Sequence, residues 1–244
     1  MSGIYRVLVG MTGCAMLLAV LTGQTLAAKV TIDNFSDPSA EYLVQSTSAD
    51  SIPPSKTGSQ GTTAVPLSGV IGGIRTGEIT SFVSGGESPT LDLLVTGGEF
   101  SFDLFNATGS AVLRYNAGGD GLGENWASNT YFQITIASAD LGAPVLTIGV
   151  IDADGNEASY EQTGLPLGDA RFDFASFLGD TVSWSAIREV SLTIDSSTAS
   201  TDVVLTDFHT APEPSTLVLF ALGAAAFFGT AHFRKRTRKS LPQS

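Results

Sequence analysis

The sequence predicts an all-β chain: a two-sheet antiparallel β-sandwich of the jelly-roll kind, followed by a single apolar helix near the C-terminus. Three observations lead there. Between Val30 and Thr210 apolar residues recur with period two in short runs, the spacing of half-buried strands. Twenty-seven glycines, with abundant Ser and Thr, place turns at close intervals. A helical repeat is missing from this region beyond one turn at 174–178. A body of about 180 residues can bury a core without disulfides.

The elements follow in order. Residues 1–27 read as a secretory signal: Arg6 is the basic start, 7–21 the apolar run, and Thr25-Leu26-Ala27 the small-residue cleavage site. Ala28 then begins the mature chain, and the translocon and signal peptidase become its first partners. The single cysteine, Cys14, leaves with this segment, although Met11-Thr12-Gly13-Cys14 superficially matches a lipoprotein site. The body, 28–210, shows ten strand-like runs: 30–35, 74–83, 91–95, 99–105, 111–115, 131–138, 145–151, 170–174, 189–194 and 203–208. Turns separate them at Thr96-Gly97-Gly98, Asn106-Ala107-Thr108-Gly109 and Asp154-Gly155-Asn156. Phe100, Phe102 and Leu104, like Phe172 and Phe174, alternate with polar residues, which assigns them to the core. Two stretches read as irregular, a long loop over 46–69 and a glycine-rich loop over 115–129.

Residues 211–244 have a composition of their own. Pro212-Glu213-Pro214-Ser215-Thr216 precedes the uncharged run 217–233, and Arg234-Lys235-Arg236 follows it. Seventeen helical residues span about 25 Å, enough for a thin membrane, and the basic cluster keeps its end cytoplasmic. This tripartite tail resembles the PEP-CTERM sorting signal of Gram-negative bacteria. The resemblance implies recognition by an exosortase, an integral membrane transpeptidase that cleaves near the motif. The chain would be anchored in the inner membrane only transiently before reaching the cell surface or the exterior. A plain single-pass anchor is the alternative reading of the same residues. Landmarks in the body resemble the β-rich domain found beside many such tails. They are Ile32-Asp33-Asn34-Phe35-Ser36, Ile71-Gly72-Gly73-Ile74-Arg75, Leu113-Arg114-Tyr115-Asn116, 152–156 and Leu205-Thr206-Asp207-Phe208. Asn34 stands where that domain usually has an acid. The resemblance supports a fold and implies no reaction.

Charge narrows the function classes. Residues 28–211 hold 23 acids against 6 bases, a net −17, whereas the five bases of the tail face no acid after Glu213. Such a body repels polyanions, which excludes nucleic acid as a partner. Catalysis has few candidates: His209 and His232 are the histidines, and no Gly-x-Ser-x-Gly elbow occurs. The chain therefore reads as non-enzymatic and in need of no cofactor, with an optional structural Ca²⁺ left open. Pairing of the first and last strands would bring Asp33 near Asp207, one such cation site. Asp152 and Asp154, in an oxygen-rich turn, are the other. For carbohydrate, Trp126 in the glycine-rich region is the residue placed to stack on a sugar ring. The leading expectation is an exported surface or matrix protein of a biofilm. A carbohydrate-binding module for exopolysaccharide comes second, and a secreted polysaccharide hydrolase a distant third.

Overall fold

The structure, a computed structural model, describes residues 28–36, 41–46, 56–140, 144–165 and 167–212. The expected signal segment 1–27, the apolar run 217–233 expected to span a membrane, Glu213 to Thr216 and Arg234-Lys235-Arg236 lie outside the described residues. Among the described residues no helix is long and apolar enough to cross a membrane.

Fourteen strands are described: β1 Val30–Asp33, β2 Glu41–Ser46, β3 Lys56–Gln60, β4 Arg75–Ser84, β5 Thr90–Thr96, β6 Glu99–Phe105 and β7 Ala107–Tyr115; then β8 Tyr131–Ala139, β9 Val145–Asp152, β10 Glu157–Gln162, β11 Gly168–Asp173, β12 Leu178–Gly179, β13 Ile187–Ser196 and β14 Asp202–Ala211. They form two antiparallel seven-stranded sheets. Sheet A runs β11-β8-β14-β6-β5-β2, with β1 alongside β14; sheet B runs β12-β10-β9-β13-β7-β4-β3. The sandwich core lies between them, and the anticipated aromatics are in it. Phe100, Phe102 and Phe172 are fully buried, and Leu104 and Phe174 nearly so. Burying each large apolar side chain contributes about 1.5–3 kcal/mol.

Local chemistry sets the hairpins. At Gly97-Gly98 both residues have positive φ (62° and 93°), as a tight two-residue turn between β5 and β6 requires, and Thr96 pairs with Glu99. The 154–156 turn joins β9 to β10 as expected.

Four strands go beyond the ten expected runs. The 46–69 loop contains β3, whose sequence Lys-Thr-Gly-Ser-Gln has no apolar residue. It is an edge strand held by pairing with β4, so nothing in it needs burial. β2, β10 and β12 are the others. The supposed four-residue turn after Phe105 is a one-residue corner. Asn106, with φ 49°, swings the chain from β6 in sheet A straight into β7 in sheet B. Its amide donates to Ser200 Oγ (3.1 Å) and its side-chain nitrogen to the Glu87 carbonyl (2.8 Å).

Candidate functional site

Three of the sequence landmarks meet inside the sandwich. Asp33 at the end of β1, Arg75 opening β4 and Tyr115 closing β7 are all fully buried. The Arg75 guanidinium grips the carboxylate with two nitrogens, Nε to Oδ2 and Nη2 to Oδ1, each at 2.5 Å. The Tyr115 hydroxyl donates to Oδ2 at 2.9 Å and the Phe35 amide to Oδ1 at 2.8 Å. The remaining Arg75 fork donates to Gln60 Oε1 (2.6 Å), and the guanidinium lies 5.4 Å from the Phe35 ring centre. Burial pushes the Asp33 carboxyl up, against the pull of Arg75, the Phe35 amide and Tyr115. Burial, then the neighbouring Asp33 charge, raises the Tyr115 hydroxyl well above its ordinary value. The Gly72-Gly73 pair delivers Arg75 to this place. At Gly73 φ is 72°, and a Cβ there would meet Pro66 Cβ at 2.5 Å. The cluster is a clamp within the core with no open face.

This clamp corrects the first cation site. β1 and β14 do pair, as expected of first and last strands, but Asp33 stands opposite Phe208 and faces the core. Asp207 is on the other face, 2.7 Å from Lys29 Nζ and 3.0 Å from His209 Nδ1. The two carboxylates therefore cannot share an ion. The second site is corrected too. Asp152 Oδ1 accepts from the amides of Asp154 (3.0 Å) and Asn156 (2.9 Å). Its Oδ2 accepts from Asn156 Nδ2 (2.9 Å) and the Ser183 amide (2.8 Å). The Ser183 amide and the Asn156 side chain hold this carboxyl at about 2, opposed by burial. Asp152 organises a turn with its lone pairs already used, and Asp154 is exposed beside it. Among the described residues no three His, Cys, Asp or Glu side chains are grouped to hold a metal ion.

Trp126 is likewise corrected as a stacking platform. It is fully buried, edge-on to Phe132 at 5.6 Å, with its amide bonded to the Trp184 carbonyl at 2.7 Å. Trp184 stacks on Phe174 at 3.8 Å, and Phe177 and Phe132 complete the group. A tryptophan in a glycine-rich stretch looks available; here the loop folds it over the core edge. His209 is 5% exposed, and burial lowers its pKa against the opposing charge of Asp207.

The two outer faces carry features that the sequence reading passed over. On sheet A, Asp92, Asp103 and Asp202 are direct cross-strand neighbours on β5, β6 and β14. Asp140 follows β8, and its amide donates to the Asp202 carbonyl at 2.9 Å. Burial, the hydrogen bond and charge of Asp103, and the charge of Asp140 raise the Asp202 carboxyl to about 6.

On sheet B, Tyr115 turns inward while its neighbours Arg114 and Asn116 turn outward. Arg114 Nη1 is 3.1 Å from Glu189 and Nε 3.6 Å from Glu78; Asn116 Nδ2 donates to Glu189 at 3.0 Å. A recess of about 410 Å³ opens on one side of this group, bounded by Gly149, Ser159, Leu178 and Glu189. Another of about 440 Å³ opens on the other side, bounded by Thr62, Thr63, Thr76 and Asn116. The signal for this face was the alternation inside Leu113-Arg114-Tyr115-Asn116, which puts Arg114 and Asn116 together on the side opposite Tyr115.

A family model of the PEP-CTERM protein-sorting motif matches residues 210–236, so the chain carries that signal. No curated protein matches the chain. Among solved structures, an agarase, AgWH50C, is 12% identical with a TM-score of 0.39, over 51% of this chain and 22% of that one. The aligned part thus spans about a fifth of that enzyme's length. A family 11 carbohydrate-binding module from Clostridium thermocellum is 12% identical with a TM-score of 0.38, over 78% of this chain and 98% of the module. An exo-beta-agarase is 11% identical with a TM-score of 0.39, over 76% of this chain and 25% of its own.

Proposed function

We propose, from the PEP-CTERM protein-sorting motif of residues 210–236, that the chain is an exported surface or extracellular-matrix protein handled by an exosortase. Residues 217–233 serve as a temporary inner-membrane helix, and Arg234-Lys235-Arg236 stall its passage because cations are costly to move through the bilayer core. Pro212 and Pro214 keep the cleavage region extended at the outer face. The β-sandwich is the delivered cargo, a structural or interaction module of jelly-roll type rather than an enzyme. Its one body histidine, His209, is buried, which suits that reading. The carrying observation is the order of Pro-Glu-Pro, apolar run and basic end. Blotting the body in a host with its exosortase should reveal a product shorter by roughly 30 residues than the signal-peptidase product. Deleting the exosortase, or substituting Glu213→Ala, should leave the longer form in the inner membrane. Identical full-length, membrane-embedded bands in all three strains would mean a plain anchor.

A second reading, a carbohydrate-binding module for exopolysaccharide, draws support from the two recesses that flank Arg114 on the outer face of sheet B. Their size is that of small-ligand clefts. Trp126 plays no part in it.

A further inference from the structure

We propose that the outer face of sheet B is a glycan groove whose occupant is an extended, neutral polysaccharide lying across the strands. The inference rests on the carbohydrate-binding reading and gives it a site. Six residues in register cross the sheet, from Ser59 on β3 through Thr76, Arg114, Ser191 and Gly149 to Ser159 on β10. Residues paired in register share one face, so these form a single line perpendicular to the strands. Four of them carry hydroxyls. At Gly149 the line drops to bare backbone; a Cβ there would lie 2.6 Å from Ser191 Oγ and turn that hydroxyl aside.

The repeat of this line suits a sugar polymer. Adjacent strands are about 4.8 Å apart, so six positions cover roughly 24 Å, and each ring of an extended glycan advances by a similar ~5 Å. About five rings can lie along it, each above one strand or the gap beside it. Midway sits the Arg114, Asn116 and Glu189 group, locked by its own contacts at 3.0–3.1 Å. It offers donors from the guanidinium and the amide, and acceptors from the carboxylate, to a ring's hydroxyl pairs. Preordered groups of this kind lose little entropy on binding.

Charge selects the class of glycan. Arg114 is outnumbered locally by Glu78 and Glu189, Glu157 borders the nearer recess, and residues 28–211 carry −17 overall. A uronic or sulfated polymer is repelled by this field, whereas a neutral polyol is not.

The test is calorimetric titration of the full-length chain, in mild detergent, with cellohexaose, xylohexaose, laminarihexaose and neoagarohexaose, against hexamers of alginate and polygalacturonate. The expected result is binding of at least one neutral hexamer and of neither acidic one. Ser159→Glu and Arg114→Gln should each weaken it at least tenfold, while Glu99→Gln on the opposite outer face leaves it within twofold. Ser159 is exposed, so its variant keeps the test valid if Arg114→Gln lowers the melting temperature. If no hexamer, neutral or acidic, binds, the site and the carbohydrate reading fall together. Binding that survives both groove variants leaves the reading standing and overturns the site. Preference for the acidic hexamers overturns the argument from charge.

Discussion

At the scale of single residues, the Asp33–Arg75 pair has the largest consequence. Two charges removed from water cost several kcal/mol, offset here by the two-nitrogen grip, the Phe35 amide and the Tyr115 hydroxyl. Removing one partner leaves the other charged and buried. Arg75→Met is therefore expected to destabilise by about 3–5 kcal/mol in urea or thermal unfolding. Combining it with Asp33→Leu should recover part of that loss, because no buried charge remains. A double variant as unstable as the sum of the single ones would show that the two residues act separately. Trp126 illustrates the opposite error of reading: a residue type suited to sugar stacking is spent on packing against Phe132.

At the scale of the element, the outer face of sheet A gathers carboxylates along neighbouring strands. Asp92, Asp103 and Asp202 stand in register, and Asp140 approaches from the end of β8. Like charges directly opposite one another destabilise a sheet. The folded Asp202 carboxyl titrates at about 6 against 3.8 in the unfolded chain. Above pH 6 it is ionised in both states, and the fold carries the repulsion. As pH falls below 6 the folded form takes up its proton first, so stability rises. Asp202→Asn should then raise the melting temperature at pH 7 by about 1–2 °C, the modest size expected of a solvent-screened interaction, and change it little near pH 3. An equal shift at both pH values would locate its effect elsewhere than in charge.

For the whole molecule, two groups bend the pH profile in opposite directions. Asp152, held at about 2 in the fold against 3.8 unfolded, contributes stability that is complete above 3.8 and lost as pH falls toward 2. Asp202 acts the other way between about 6 and 3.8. His209, whose pKa burial lowers, costs stability as pH falls through 6.5 and so opposes Asp202. That leaves the loss below about pH 4, where Asp152 takes up its proton, as the expected feature. Melting temperatures taken across pH 2–8 in steps of about half a unit test this. Melting temperatures unchanged between about pH 4 and pH 2 would mean that the contacts of Asp152 do not hold its charge in the fold.

The sequence by itself determined what is local or contiguous. Period-two alternation marks strands such as β6 and β9, because each must bury one face and wet the other. The Gly97-Gly98 turn is equally legible, since few residues tolerate its backbone. So is the tail, whose motif, apolar run and basic end need no partner elsewhere in the chain to be recognised. Tertiary structure alone decided the rest. β3 is invisible in its own residues because it is defined by pairing with β4. Asp33 and Asp207 end on opposite faces because register and the inward turn of one strand, not distance along the chain, set a side chain's neighbours. Arg114 and Gly149, 35 positions apart, come to one groove through Ser191 of a third strand. Strand order is a property of the packed sheets, and a groove across strands exists only once that order is made.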